Sequence, residues 1–290
     1  MQNQPFVDAH VHFYDMQHPE LIYGDWQLGV PHPMLGMKLQ KLAERNYLAE
    51  DYIAETRAAH VTKVVHVQAA IGSKNPLKET EWLQSAADRT GYPHGIVAYA
   101  DLRDSSVEKV LEGHCRYPNM RGIRDLSYGD YLVEPDFWRG FKLMEKYNLV
   151  SSISAQWPDM GKLRDLAARF PNVQIVIDHT GAPQVRTDEY FAKWREGMST
   201  LAEADNIVCK ISGLAMTDND WTVDSIRPYV RHCIEVFGPD RCIFATNWPV
   251  DWLWSSYDTV VNAYLEITAE FSDAERAAMF SGNSERLYRI

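Results

Sequence analysis

Near its amino terminus the chain reads FVDAHVHFYD, with His10 and His12 one residue apart between Asp8 and Asp15. On an extended strand, residues two apart share a face and lie roughly 6.6 Å apart along the chain. Two imidazoles so placed can grip one cation or polarise one carbonyl. The alternative is a pair of hydrogen-bonded strand histidines with no chemistry. Further candidates follow along the chain: His66 and Gln68 in TKVVHVQA, and Arg121, Arg124 and Asp125 in MRGIRDLS. Gln156 and Trp157 follow LVSSISA, and Asp178 and His179 fall in QIVIDHT. Lys210 and Ser212 fall in IVCKIS, and Asn247, Trp248 and Asp251 in RCIFATNWPVD.

Eight short β-branched runs must position these groups: residues 6–13, 62–69, 95–102, 120–127, 149–155, 174–180, 207–212 and 241–247. Amphipathic segments between them, such as 76–90, 159–170 and 188–204, read as helices, with Pro76 suited to a first helical position and Asp188 to an N-cap. Most strands are nearly continuous apolar runs, the mark of a parallel sheet covered on both faces. The pattern predicts an α/β chain closed as a (β/α)8 TIM barrel. Chemistry in such a barrel comes from the carboxyl ends of the strands, where the candidates crowd, and stability alone gives no reason for that crowding. Residues 16–48, rich in Pro, Gly and aromatics, exceed an ordinary connection of ~12–15 residues. They predict an ordered flap over the barrel mouth. Residues 255–290 read as two helices and a short closing segment, and 1–290 as one domain.

Composition narrows the function classes. Of 290 residues 46% are hydrophobic, 12% aromatic and 24% charged, which is globular usage. Lys and Arg total 29 against 40 Asp and Glu, a net charge of -11 with no basic block, which argues against nucleic acid as partner and for a small molecule. No apolar run nears the ~18–20 residues of a membrane span, and MQNQPFVDAH lacks the regions of a signal peptide. No membrane partner and a cytoplasmic location are therefore expected, with homo-oligomerisation left open. Cys115, Cys209, Cys233 and Cys242 show no CxxC spacing, so neither a zinc knuckle nor a disulfide framework is expected.

VDAHVHFYD, MRGIRDLS, IVIDHTGAP, CKISGL and RCIFATNWPVD, in that order on strands one, four, six, seven and eight, resemble the amidohydrolase superfamily. More narrowly, they resemble the amidohydrolase-related branch that contains sugar lactonases and 2-pyrone-4,6-dicarboxylate lactonase. The resemblance implies a hydrolase that opens a lactone or similar carbonyl on a small, oxygen-rich or carboxylated substrate. It implies that His10 and His12 hold a divalent metal or, in metal-free members, polarise the substrate carbonyl. It makes His179 the strand-six histidine and position 247 the strand-eight residue, and it likens Arg121 and Arg124 to arginines that bind substrate carboxylates. Two departures stand out. Asn247 replaces the superfamily's aspartate, and an amide cannot take a proton from water at neutral pH. Gln156 stands where binuclear members place a histidine, and strand four offers no bridging lysine or glutamate, which argues against a binuclear centre.

The expected roles follow. His10, His12 and His179 suffice for one Zn²⁺, with Mn or Fe as alternatives, and a water in the fourth position whose pKa falls to ~7; a metal-free site is the other reading. His179, Asn247 and Asp251 are the catalytic candidates. Asp251 supplies a carboxylate if the NWPVD turn folds back, and is otherwise an exposed loop residue. Arg121, Arg124, Gln156, Trp157 and Trp248 are the substrate-binding candidates, the tryptophans, with Trp252 and Trp254, as walls for a flat or sugar-like ring. Arg121 and Arg124, three apart, point to opposite faces of a strand, with Arg124 nearer the mouth. Asp178 should face away from His179 as a structural partner, and His66, in mid-strand, reads as buried and hydrogen-bonded. The rival functions are a metal-dependent decarboxylase or iron oxygenase on the same fold, or a catalytically degenerate partner subunit, the last motivated by Asn247.

Overall fold

The computed structural model describes residues 4–26, 28, 29, 31, 32, 35–127 and 129–290. All eight expected strands are present: β1 (Phe6–Val11), β2 (Val61–Val67), β3 (Gly95–Tyr99), β4 (Met120–Arg124), β5 (Val150–Ile153), β6 (Ile175–Ile177), β7 (Ile207–Ile211) and β8 (Cys242–Phe244). They pair in parallel in chain order as one eight-stranded sheet. Each stops short of the apolar run that announced it, because the last residues of each run leave the ladder to build the mouth. The helices Leu77–Thr90, Met160–Arg169 and Asp188–Ala202 lie within a few residues of their expected bounds. Two caps differ by one position. Pro76 precedes the first helical residue, and Thr187 rather than Asp188 is the N-cap, its hydroxyl accepting from the Tyr190 amide.

Two apolar layers hold the fold. Ala9, Val65, Val67, Val97, Val150, Val176, Val208, Ile243 and Ala245 fill the barrel, and Tyr288 from the last helix, Asn283–Tyr288, closes its amino-terminal end with them. Side chains of this size are what the interior of an eight-stranded barrel accommodates. Larger groups, among them Phe6, Val11, Phe13, Leu83, Phe141, Trp194 and Phe244, pack between sheet and helices.

Strand β1 departs from simple alternation. Its register with β2 shifts between Asp8 and Val11, an irregularity of the kind that turns successive side chains to new faces. Ala9 belongs to the barrel interior while Val11 and Phe13 pack in the outer layer. Asp8 also points outward, accepting hydrogen bonds from Tyr52 and Tyr257 of the helices Ala49–Glu55 and Tyr257–Ile267. His10 and His12 point inward. The irregularity thus separates Asp8 from the histidines it would otherwise accompany.

Asp8 also closes the barrel. Between the end of β1 and the segment after β8 run one bridge, Val11 to Trp248, and the bond from His12 N to Trp248 O at 2.7 Å. The Asp8 carboxylate supplies two more, from Thr246 N at 2.9 Å and Thr246 Oγ1 at 2.6 Å. Over the mouth lies the connection after β1, tied down by a bridge between Tyr14 and Tyr47; its residues Gln27, Val30, Pro33 and Met34 lie outside the described set. Among the described residues no helix is long and apolar enough to cross a membrane.

Candidate active site

A cavity of about 240 Å³ opens at the carboxyl ends of the strands. Its polar wall is His12, His32, Gln68, Arg124, Ser154, Gln156, His179 and Asn247. Its apolar wall includes Trp26 and Leu35 of the β1 connection, with Ile71, Leu126, Met216 and Val250 from later loops.

Hydrogen-bond geometry fixes the histidine tautomers. His12 Nδ1 lies 2.8 Å from Val67 O, and a carbonyl only accepts, so Nδ1 carries the proton and Nε2 the lone pair. Burial above all, helped by the positive groups nearby, holds His10 and His12 well below the ordinary histidine pKa and therefore neutral. Across the 3.2 Å between the two Nε2 atoms His10 must then donate, which leaves its Nδ1 as an acceptor. Lys210 Nζ lies 3.5 Å from that Nδ1. The chain of donors runs one way, from Lys210 to His10 to His12 to the Val67 carbonyl.

Lys210 and Asp178 are both fully buried and form an ion pair at 3.0 Å. Burial alone would raise the Asp178 pKa, yet Lys210 first, and Arg124 with it, bring it well below the carboxylate range. Arg124 Nε lies 3.4 Å from Asp178 Oδ2, and Ser152 Oγ donates to the same oxygen at 2.7 Å. The 3.7 Å between His10 Nδ1 and Asp178 Oδ1 is too long for a hydrogen bond. Burial would also depress Lys210, but Asp178 outweighs it and the ammonium is retained. Two cations and one carboxylate leave this floor with one net positive charge.

The turns after β6 and β8 are the strained parts of the site. His179 and Thr180 both have φ of 54°, and Asn247 has φ of 58°. Left-handed backbone at non-glycine residues is uncommon and gathers at functional positions. It lets Asp178 reach inside the barrel while His179 lines the cavity, so the two do not simply face opposite ways. His179 Nδ1 is engaged by Ser212 Oγ at 2.9 Å, which leaves Nε2 for the cavity. Burial, opposed by Asp178 and reinforced by Arg124 and Lys210, lowers His179 to about 3. A Cβ at Gly213 would come within 2.6 Å of His179 Nδ1, so the ring needs a glycine there.

Asn247 Nδ2 donates to Asp251 Oδ1 at 2.9 Å, so the NWPVD turn does fold back. Asp251 is 1% exposed, which corrects the expectation of an exposed loop aspartate. It does not line the cavity, and burial pushes its carboxyl up to about 8, so it is largely protonated at neutral pH. Other expectations are also corrected. Arg121 donates to the carbonyls of Pro118 and Met120 and packs by Gly95 and Arg289 at the amino-terminal end, because strand alternation sends it away from Arg124. Trp248 is buried behind the cavity, with Nε1 on Glu55. Trp157 lies under Lys193 outside the cavity, and neither Trp252 nor Trp254 lines it. The aromatic wall is Trp26, which no strand pattern marked. Gln68 was legible as a polar strand-end residue but not as cavity lining, and Ser154 was not singled out at all. His66 is buried, accepts from Phe13 N at 3.1 Å, and does not line the cavity.

Two nitrogens on one tetrahedral ion, with bonds of ~2.0–2.1 Å, stand roughly 3.3 Å apart. The His10 and His12 Nε2 atoms, 3.2 Å apart, have the spacing of one edge of such a site. That edge needs both lone pairs, so a bound ion would require the His10 proton on Nδ1, beside Asp178, instead of on Nε2. Among the described residues no group of three or more His, Cys, Asp or Glu could hold a metal ion. The ring centroids of His10 and His12 stand 4.9 Å apart and those of His10 and His179 4.4 Å, so the three expected ligands are gathered, though not as one ready-made set, and no step of the reaction is assigned to a metal.

The amidohydrolase family model matches residues 7–290. The chain belongs to the amidohydrolase family. An uncharacterised protein of Sinorhizobium fredii is 41% identical over 303 aligned residues, covering 100% of both chains. An L-fucono-1,5-lactonase of Burkholderia multivorans is 28% identical, covering 98% of this chain and 96% of its own. The crystal structure of a zinc-bound amidohydrolase from Burkholderia multivorans superposes with a TM-score of 0.85 at 26% identity, covering 99% of each chain. This amidohydrolase is accordingly a hydrolytic enzyme with lactonases among its relatives.

Proposed function

We propose that this amidohydrolase opens a neutral, hydroxylated lactone by attack of water on the ring carbonyl. The observation that carries the proposal is the cavity floor, where neutral hydrogen-bonding groups surround a single arginine. Arg124 faces Asp178 through Nε and Ser154 Oγ through Nη2 at 3.2 Å, so much of its charge is already met. With Arg121 at the other end of the barrel, the paired arginines that a dicarboxylate would need are not together. The carboxamides of Gln68, Gln156 and Asn247 suit hydroxyl groups, and the apolar wall suits an alkyl end of the substrate. The lactonase among the relatives supports the same reading.

In this mechanism Asp251 holds the Asn247 amide so that its oxygen accepts from the attacking water. His179 Nε2 takes the water proton as the new carbon–oxygen bond forms. The carbonyl oxygen becomes an oxyanion beside Arg124, over the buried Lys210 charge. The ring carbon–oxygen bond then breaks, His179 returns the proton to the leaving alkoxide, and a hydroxy acid results. Substrate is neutral and the transition state anionic, so a floor with one net positive charge stabilises the second more than the first. The test is hydrolysis across aldonolactones and pyrone dicarboxylates. We expect turnover of the former, with His179→Gln slowing it by about 10²–10⁴-fold, the usual size of a proton-transfer contribution. Turnover confined to the dicarboxylates would overturn the proposal.

A further inference from the structure

Gln68 stands out among the polar groups of the cavity. It is 2% exposed, lines the cavity, and its Nε2 has no hydrogen-bond partner among the described residues. Buried amides are nearly always paired, and one that is not carries a desolvation penalty that calls for a cause. Flexibility is not the cause, because the backbone is clamped on both sides. Gln68 N donates to Val97 O at 2.8 Å, and the next two amides, Ala69 N and Ala70 N, both donate to Glu79 Oε1, at 2.8 and 2.9 Å. The preceding carbonyl, Val67 O, is the one that orients His12. A rigid backbone therefore holds a carboxamide with an unpaired Nε2 beside a histidine of the floor.

We infer that Gln68 is a specificity-determining residue that reads one ring hydroxyl of the lactone. A carboxamide offers a donor and an acceptor, and a hydroxyl presents both in return, whereas a carbonyl oxygen can only accept. The bound hydroxyl supplies the partner that the free protein lacks. A site built this way rejects an analogue lacking the group, because the amide is left unpaired again. The inference rests on the lactone reading above.

The experiment uses the full chain and hydrolysis-resistant aldonolactams, each compared with its monodeoxy analogues by calorimetry. For wild type we expect removal of one particular hydroxyl to weaken binding about tenfold, the scale of one neutral hydrogen bond with its partner left buried. For Gln68→Met, of similar shape, that preference vanishes. Unfolding by urea gives a second readout: Gln68→Met unfolds at the same or a higher urea concentration, because an unpaired amide has been replaced by an apolar group. A destabilised Gln68→Met, or equal binding of every monodeoxy lactam by wild type, would overturn the role of Gln68. Lactone hydrolysis by wild type is scored separately. Its absence removes the lactonase reading and this inference with it, whereas hydrolysis without hydroxyl preference removes only the inference.

Discussion

Asp8 and Asp178 are both fully buried, one outside the sheet and one inside the barrel, and their surroundings give them opposite characters. Asp8 accepts from five neutral groups, Thr246 N, Thr246 Oγ1, Tyr52 OH, Tyr257 OH and, at 3.5 Å, His10 N, and burial still raises its pKa. Asp178 faces Lys210 and Arg124, and its pKa is held low despite burial. The first is a clasp across the β1–β8 seam, the second the counter-charge of a catalytic floor. Burial sets the cost of a charge, and the partner decides whether the charge is kept.

The largest effect that would break this comparison is on stability. Asp178→Asn leaves the Lys210 ammonium buried without a counter-charge, which should cost about 3–5 kcal/mol in denaturant unfolding. Adding Lys210→Met should recover much of the loss without restoring turnover. If Asp178→Asn alone is as stable as wild type, the ion pair is not what holds the floor.

Asp8→Asn should cost less, about 1–3 kcal/mol, because hydroxyl partners can reorient toward an amide. Its kcat/KM should stay near wild type, since Asp8 faces the helices. A turnover defect matching that of Asp178→Asn would mean that the two layers act as one.

Next in size is the pH dependence. With His179 as base, kcat/KM should be level from pH 5 to pH 7, because its pKa is about 3. A rate that climbs toward a midpoint near 8 would instead assign the proton to Asp251, whose pKa is about 8. Stability carries the complementary sign. The folded state holds the Asp251 proton where the unfolded chain has lost it, so this residue lowers stability as pH rises from the ordinary aspartate pKa of 3.8 to about 8. Asp251→Asn should flatten that slope in urea melts taken across the range.

The smallest expected effects sharpen the contrast from the far end of the barrel. Arg121→Ala should leave kcat/KM unchanged, since Arg121 meets backbone carbonyls away from the cavity. Dialysis against a chelator should likewise leave turnover unchanged, because the cation beneath His10 belongs to Lys210. A loss restored by added zinc would place an ion on the edge between His10 and His12.

Much of the architecture was legible in the sequence. Eight apolar runs separated by amphipathic segments determined a parallel barrel, because a strand buried on both faces has few other ways to be covered. The same pattern placed His12, Arg124, Gln156, His179 and Asn247 at strand ends, and strand ends are where a barrel gathers its chemistry. Alternation alone also sent Arg121 and Arg124 to opposite faces.

What the pattern could not supply were the departures from regular backbone. Alternation puts Asp8, His10 and His12 on one face, but the irregularity in β1 turns Asp8 toward the helices. Left-handed turns at His179 and Asn247 bring Asp178 and Asp251 to partners that no periodicity connects. The ion pair of Lys210 with Asp178, the buried state of Asp251 and the unpaired amide of Gln68 depend on contacts between strands far apart in the chain. Local sequence determined which groups stand at the barrel mouth. Tertiary packing decided which of them are charged, paired or free to meet a substrate, because those properties depend on what lies within a few ångströms in space.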